Sequence, residues 1–136
     1  MTALLVVQVV ATLALTGLVW FVQVVHYPLL ARVGPGSFAA YEHEHVRRTT
    51  WVAAPLMVTE GIVVAALLLL DTSVATVLGA VLLAGIWAST FLVQGPCHRV
   101  LEKEWSAVAH ARLVRSNWVR TALWTARSAI AVALLV

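Results

Sequence analysis

Four apolar stretches divide the chain, at about Ala3–Val25, Trp51–Leu70, Val74–Val93 and Trp118–Val136. Each is near the ~20 residues a helix needs to cross ~30 Å of hydrocarbon. Only Asp71, Thr72 and Ser73 separate the second stretch from the third, a connection so short that the two helices must be antiparallel neighbours. The other two breaks, His26–Thr50 and Gln94–Asn117, are long and polar. With four spans, both emerge on one side, opposite the two termini and the tight hairpin. In the first break Gly34, Pro35 and Gly36 mark a turn, and Ser37 offers an N-cap for a short amphipathic segment through Tyr41 and His45 that runs on into the second span. Pro55 is placed to kink the second helix, and Gly95–Pro96 to end or bend the third. The predicted fold is all-α: an antiparallel integral-membrane four-helix bundle forming one domain, residues 1–136. The first stretch is too long for a signal peptide and lacks a small-residue cleavage site, so it reads as a retained helix.

An apolar face turned to lipid costs nothing, whereas a polar side chain must find a partner inside the bundle, so polar periodicity carries the information. At ~100° per residue, Gln8, Thr12, Thr16, Gln23 and His26 share one face of the first helix. Glu42, His45, Thr49 and Glu60 share one face of the second, leaving Glu44 and Arg48 outside it. Thr76, Trp87, Thr90, Gln94 and His98 align on the third, and His110, Asn117, Thr121, Trp124 and Ser128 on the fourth, flanked by Arg120 and Arg127. Four stripes predict a bundle interior that is polar toward the end bearing the long connections. Backward bonding to helix carbonyls accounts for the Thr and Ser members without any further role.

Composition agrees with the pattern. Hydrophobic residues make up 62% of the 136 and charged ones 11%, with mean hydropathy +0.94, which excludes a water-soluble globule, where about a quarter of residues are charged. The single cysteine, Cys97, cannot form an internal disulfide, and no Cys/His spacing matches a structural zinc site. The net charge of +3 sets orientation and does not point to nucleic acid. Of nine Lys and Arg residues, all but Arg127 lie at the end with the long connections. The positive-inside rule makes that end cytoplasmic, in a multi-pass protein of the cell membrane with both termini outside. Trp20, Tyr27, Trp51, Trp105 and Trp118 sit near the same interface.

Glu60 lies nine residues below Trp51 and Arg127 nine beyond Trp118, so both reach mid-bilayer and are expected to pair, for register or for function. The histidines allow two metal readings. Glu42 and His45 have the Glu-x-x-His spacing of di-iron carboxylate bundles, and with His98 they form a candidate metal set, although the complete pattern needs a second such motif. The ordinary alternative is a solvated helix end in which Glu42, His43, Glu44 and His45 pair with Arg47 and Arg48. A bis-histidine haem between His26 and His98 is the other metal reading. Without any cofactor, His26 can act as general base, with Asn117, Gln94 or Arg120 stabilising an oxyanion. Cys97 reads as an inert membrane cysteine.

Three short segments carry a resemblance: His26–Tyr27–Pro28–Leu29, then Gln94–Gly95–Pro96–Cys97–His98–Arg99–Val100–Leu101, then Arg115–Ser116–Asn117–Trp118–Val119–Arg120–Thr121. With the length and span count, the chain resembles the anthrone-oxygenase-like family of small four-helix membrane proteins. The resemblance implies oxidation of a polycyclic anthrone to the quinone by molecular oxygen, without an established metal or flavin, and His26, Asn117 and Arg120 as the positions carrying the pattern. The chain departs from it in the histidine-rich Tyr41–His45 segment and at His98.

Three function classes therefore stand. One is an oxygenase or oxidoreductase acting on a lipophilic aromatic or quinol-like molecule, with His26, Asn117 and Arg120 as catalytic candidates and Gln23, Gln94, His98, Trp124, Glu60 and Arg127 as pocket or structural polar residues. A second is a metal or haem protein. The third is a non-catalytic membrane subunit or homo-oligomer packing through Ala80, Ala84 and Ala88. No internal repeat supports a transporter.

Overall fold

The computed structural model describes all 136 residues. It is a bundle of four long helices: α1 Thr2–Leu30, α2 Pro35–Leu70, α3 Val74–Leu101 and α4 Ala107–Leu135. α1 packs on α2, α2 on α3, α3 on α4, and α4 back on α1, which closes a four-cornered bundle. α1, α2 and α3 are long and apolar enough to cross a membrane, which makes this a multi-pass helical membrane protein. α4 is of similar length but carries Arg120 and Arg127 in its apolar half.

The helices are longer than the apolar stretches. At ~1.5 Å per residue the 36 residues of α2 reach ~54 Å, well beyond a ~30 Å hydrocarbon layer. The two long polar breaks are therefore mostly helix, and the true links are short, 31–34 and 102–106. The segment through Tyr41 and His45 runs on into the second span as expected, α2 being continuous through Pro55. Its N-cap is Gly34, with Pro35 at the first helical position, where a fixed φ and a missing N–H cost nothing; Ser37 lies inside the helix. The hairpin link is as the sequence implies: Asp71 accepts bonds from the Ser73 amide and hydroxyl and the Thr76 hydroxyl, and Ser73 caps α3.

Neither Pro28 nor Gly95–Pro96 breaks its helix. Each is preceded by one wide π turn, Val22–His26 in α1 and Thr90–Gln94 in α3, closed by i→i−5 bonds from Tyr27 N–H to Val22 and from Gly95 N–H to Thr90. A proline ring clashes with the carbonyl four residues before it, and the wider turn relieves that conflict while the helix continues. In α1 the extra residue also advances the inward stripe by one position, so that Tyr27 is buried and His26 only half-buried.

All four polar stripes face inward. Gln8, Thr12, Gln23, Glu42, Glu60, Thr76, Gln94, Asn117, Thr121, Arg127 and Ser128 are buried, while Ile62, Leu69, Val81, Phe91 and Leu92 face outward. Ala84 and Ala88 are also on the outer face, and α3 packs inward through Gly79, Leu83 and Ile86 instead. At mid-depth Leu15, Val19, Ile86 and Trp124 form an apolar layer, and a second apolar cluster of Val22, Tyr27, Leu30, Phe38, Cys97, Leu101 and Leu113 closes the far end.

Candidate functional site

Two polar layers lie along the interior. In the deep one, Arg127 Nε donates to Glu60 Oε1 at 2.7 Å, Thr12 donates to the same oxygen at 2.6 Å, and Trp124 Nε1 donates to Oε2 at 3.4 Å. A second Arg127 nitrogen donates to the Gly79 carbonyl. Glu60 and Arg127, separated by 67 positions, thus pair as their depth requires, both fully buried.

The second layer sits where α1, α2 and α3 pass their prolines or the end of their apolar stretch. Glu42 is fully buried, and its Oε1 accepts from His98 Nδ1 at 2.5 Å. With Nδ1 donating, His98 Nε2 accepts the Tyr27 hydroxyl at 3.2 Å, so a chain runs Glu42–His98–Tyr27. His45 contacts Thr49 through Nδ1 and stacks on His26 with centroids 4.2 Å apart. Donor atoms of Glu42, His45 and His98 all lie within 4.8 Å of one another. Glu42 Oε2 and His26 Nε2 are buried without a hydrogen-bond partner.

Beside this cluster is a cavity of about 400 Å³, lined by Tyr27, His45, Trp87, His98, Arg120 and Trp124 among others. Val58 of α2 and Phe91 of α3 line it and are also exposed on the outer surface, so its mouth opens between those helices toward lipid. The cavity and the cluster are at the end that carries nearly all the positive charge.

The structure sorts the sequence-derived candidates. Glu42, His45 and His98 come together, and only Glu44 and the exposed His43 belong to a solvated helix end: Glu44 binds Arg47 and Arg48, and His43 pairs with Glu102. The trio of His26, Asn117 and Arg120 does not meet at the cavity wall. Of the three only Arg120 lines the cavity; Asn117 is buried and donates to Gln23 at 2.7 Å, and His26 is covered by His45. Of the haem pair, His26 stacks on His45 with its Nε2 unpartnered, and His98 has both ring nitrogens hydrogen-bonded, to Glu42 and Tyr27. Gln94 donates to Ser116 and lines the cavity, as does Trp124, whereas Glu60 and Arg127 do not. Cys97 is buried in the apolar cluster.

Tyr27 was not expected in the cavity, and Trp87, though on the inward stripe of the third helix, was not among the site candidates. Tyr27 falls off the α-helical stripe by one residue, and only the proline at 28 signals the turn that carries it inward. Comparison of the chain with protein-family models, curated proteins and solved structures found no match.

Proposed function

We propose that this is a membrane-embedded oxidoreductase in which Glu42, His45 and His98 hold a divalent metal ion beside a cavity for a lipophilic aromatic molecule. One observation carries the reading: two imidazoles and a fully buried carboxylate from two helices converge within 4.8 Å at the wall of a lipid-facing cavity. Two histidines and one carboxylate with open positions form the ligand set of non-haem iron(II) oxygenases, and also of catalytic zinc sites. The surroundings suit that role. Thr49 holds Nδ1 of His45, leaving Nε2 as its ligand atom, and Tyr27 holds Nε2 of His98, whose Nδ1 now bonds Glu42 and would turn to the metal on losing its proton, in the manner of outer-shell partners that fix imidazole orientation. The unpartnered Glu42 Oε2 supplies the carboxylate oxygen. A bound iron would activate molecular oxygen. For an anthrone-like substrate, the class implied by the family resemblance, one oxygen atom becomes the new carbonyl oxygen and the other leaves as water with the two hydrogens of the ring methylene.

The positive charge beside the site supports a cytoplasmic location for it, with α4 as a fourth span and both termini on the opposite side. Metal content tests the function. Protein purified in mild detergent, loaded with iron, manganese or zinc and desalted, is expected to retain about one ion per chain, and His45→Ala/His98→Ala to retain none. Equal retention by the wild type and that variant overturns the metal reading.

The Glu42–His98–Tyr27 chain supports a second reading, in which the carboxylate orients His98 as the base that starts a cofactor-free oxidation. Turnover of an anthrone by fully metal-depleted protein would select it.

A further inference from the structure

The nine cations are not alike in their partners. Arg47 and Arg48 bind Glu44, and the buried Arg127 binds Glu60. Arg120 lines the cavity with no carboxylate within 4.0 Å. Its one side-chain hydrogen bond, from Nη1 to the Thr90 hydroxyl, is 3.5 Å long, and its Nε is buried with no partner at all. The guanidinium lies over the Trp124 ring, 5.5 Å from its centroid, which holds it in place without neutralising it. A guanidinium cannot shed its proton at any working pH. A charge inside a bundle is ordinarily paired, so this one is left for a ligand.

The rest of the wall says what kind of ligand. Leu15, Val19, Met57, Trp87 and Phe91 make it largely apolar, and the mouth between α2 and α3 faces lipid. We propose that Arg120 is an anion anchor, and that the cavity takes a small lipophilic aromatic molecule bearing a carboxylate or an acidic phenolate oxygen, admitted from the bilayer. The proposal shares the cavity with the functional reading above but does not depend on its metal. The fork of guanidinium donors binds the oxyanion, Trp87 and Trp124 flank the rings, and the head is held on the same wall as the Glu42–His45–His98 cluster.

The test uses full-length protein in phosphatidylcholine nanodiscs with chelator present throughout, so that no metal can serve as the anion's partner. The probes are anthracene-9-carboxylate and its uncharged methyl ester, measured by equilibrium dialysis against empty nanodiscs. Wild type is expected to bind the acid about tenfold or more tightly than the ester, the difference a charge-assisted hydrogen bond makes. Arg120→Gln should lose that preference while keeping the ester, and Arg120→Lys should retain part of it. Should the glutamine variant lose the ester too, the preference measured in wild type and in Arg120→Lys decides. Equal affinity of wild type for acid and ester overturns the proposal, as does an undiminished preference in Arg120→Gln. Displacement of the acid by phosphatidylglycerol added to the nanodisc would assign Arg120 to a lipid headgroup and overturn the small-molecule reading. Failure of metal retention in the earlier experiment leaves all these outcomes readable.

Discussion

Replacing Glu60 by glutamine keeps the shape of the deep layer and removes its charge. In the native protein Arg127 is fully buried and held by Glu60 at 2.7 Å and by the Gly79 carbonyl, with one guanidinium nitrogen already unpartnered. After Glu60→Gln the guanidinium keeps only the carbonyl as a reliable acceptor. The amide can accept from Thr12 or Arg127 only by aiming its own N–H₂ at the Trp124 donor. Breaking a buried ion pair by removing one partner costs about 3–5 kcal/mol, a large share of the ~5–15 kcal/mol that holds a typical fold. The control is Thr12→Val, which removes a neutral donor at 2.6 Å; hydrogen bonds between membrane helices average about 0.6 kcal/mol. Reversible unfolding in mixed micelles titrated with sodium dodecyl sulfate, followed by circular dichroism, reads both. Glu60→Gln should lose at least three times as much stability as Thr12→Val. The double change Glu60→Met/Arg127→Met should recover most of the loss, since an apolar pair of similar volume often replaces a buried salt bridge without penalty. A Glu60→Gln protein within about 1 kcal/mol of wild type, or a double variant no more stable than the single, would refute the pairing energetics, since residues in contact couple by about 0.5–3 kcal/mol.

Three further outcomes follow from the geometry. Tyr27→Phe removes the hydroxyl on His98 and should weaken metal retention about 10–100-fold, measured by competition with a chromogenic chelator; unchanged retention would take Tyr27 out of the site. A Cβ on Gly61 would sit 3.0 and 3.1 Å from two ring carbons of Trp87, so Gly61→Val should destabilise by about 1–3 kcal/mol and weaken binding of the anthracene ester by pushing the indole into the cavity. Hydrogen bonds from the Ser73 hydroxyl, the Thr76 hydroxyl and the Ser73 amide hold the Asp71 carboxyl below its ordinary value. Its contribution is thus present above that ordinary value and lost as pH falls through the lowered folded one. Asp71→Asn should therefore be less stable than wild type at neutral pH, with a gap that closes on acidification; a gap constant from pH 7 to pH 3 would contradict this.

The four helices and their inward faces were legible because lipid leaves polar residues nowhere else to go. Gln8, Thr12, Glu60, Asn117 and Thr121, all picked out by 100° periodicity, are all buried. Glu60 and Arg127 could be matched by depth alone, since helix rise is fixed. What could not be read was the behaviour of the chain at its prolines. Gly95–Pro96 was expected to end or bend α3, and the wide turn at Thr90–Gln94 instead lets the helix run on to Leu101, carrying His98 beside Glu42. The matching turn in α1 exchanges His26 for Tyr27 on the inner face. One added residue rotates everything beyond it by ~100°, enough to displace a candidate base from the cavity and put a phenol in its place. Whether Glu42 and His45 faced solvent or interior was also open, because a helix end outside the apolar stretch has no lipid to enforce an answer.

The two polar layers differ in a way that separates framework from site. The deep layer has no opening: Glu60 has all its contacts filled by Thr12, Trp124 and Arg127, and none of Thr12, Glu60 and Arg127 lines the cavity. An ion pair set away from the cavity fixes register, and its one unpartnered nitrogen, on Arg127, does not line the cavity. In the upper layer Glu42 Oε2, His26 Nε2 and Arg120 Nε are buried without partners, and the cavity lies against them. A buried polar group left unsatisfied costs about 1–3 kcal/mol, and such groups persist where something else completes them. Trp124 joins the layers, its indole N–H on Glu60 and its ring under the Arg120 guanidinium. The buried ion pair therefore fixes the floor of the cavity. Removing the Trp124 N–H donor while keeping an aromatic ring, as in Trp124→Phe, should loosen Arg120 and lower the acid-over-ester preference of the anthracene probes, with metal retention at Glu42, His45 and His98 unchanged. If metal retention fell with that preference, the two halves of the site would be one mechanical unit and not two built on a shared floor.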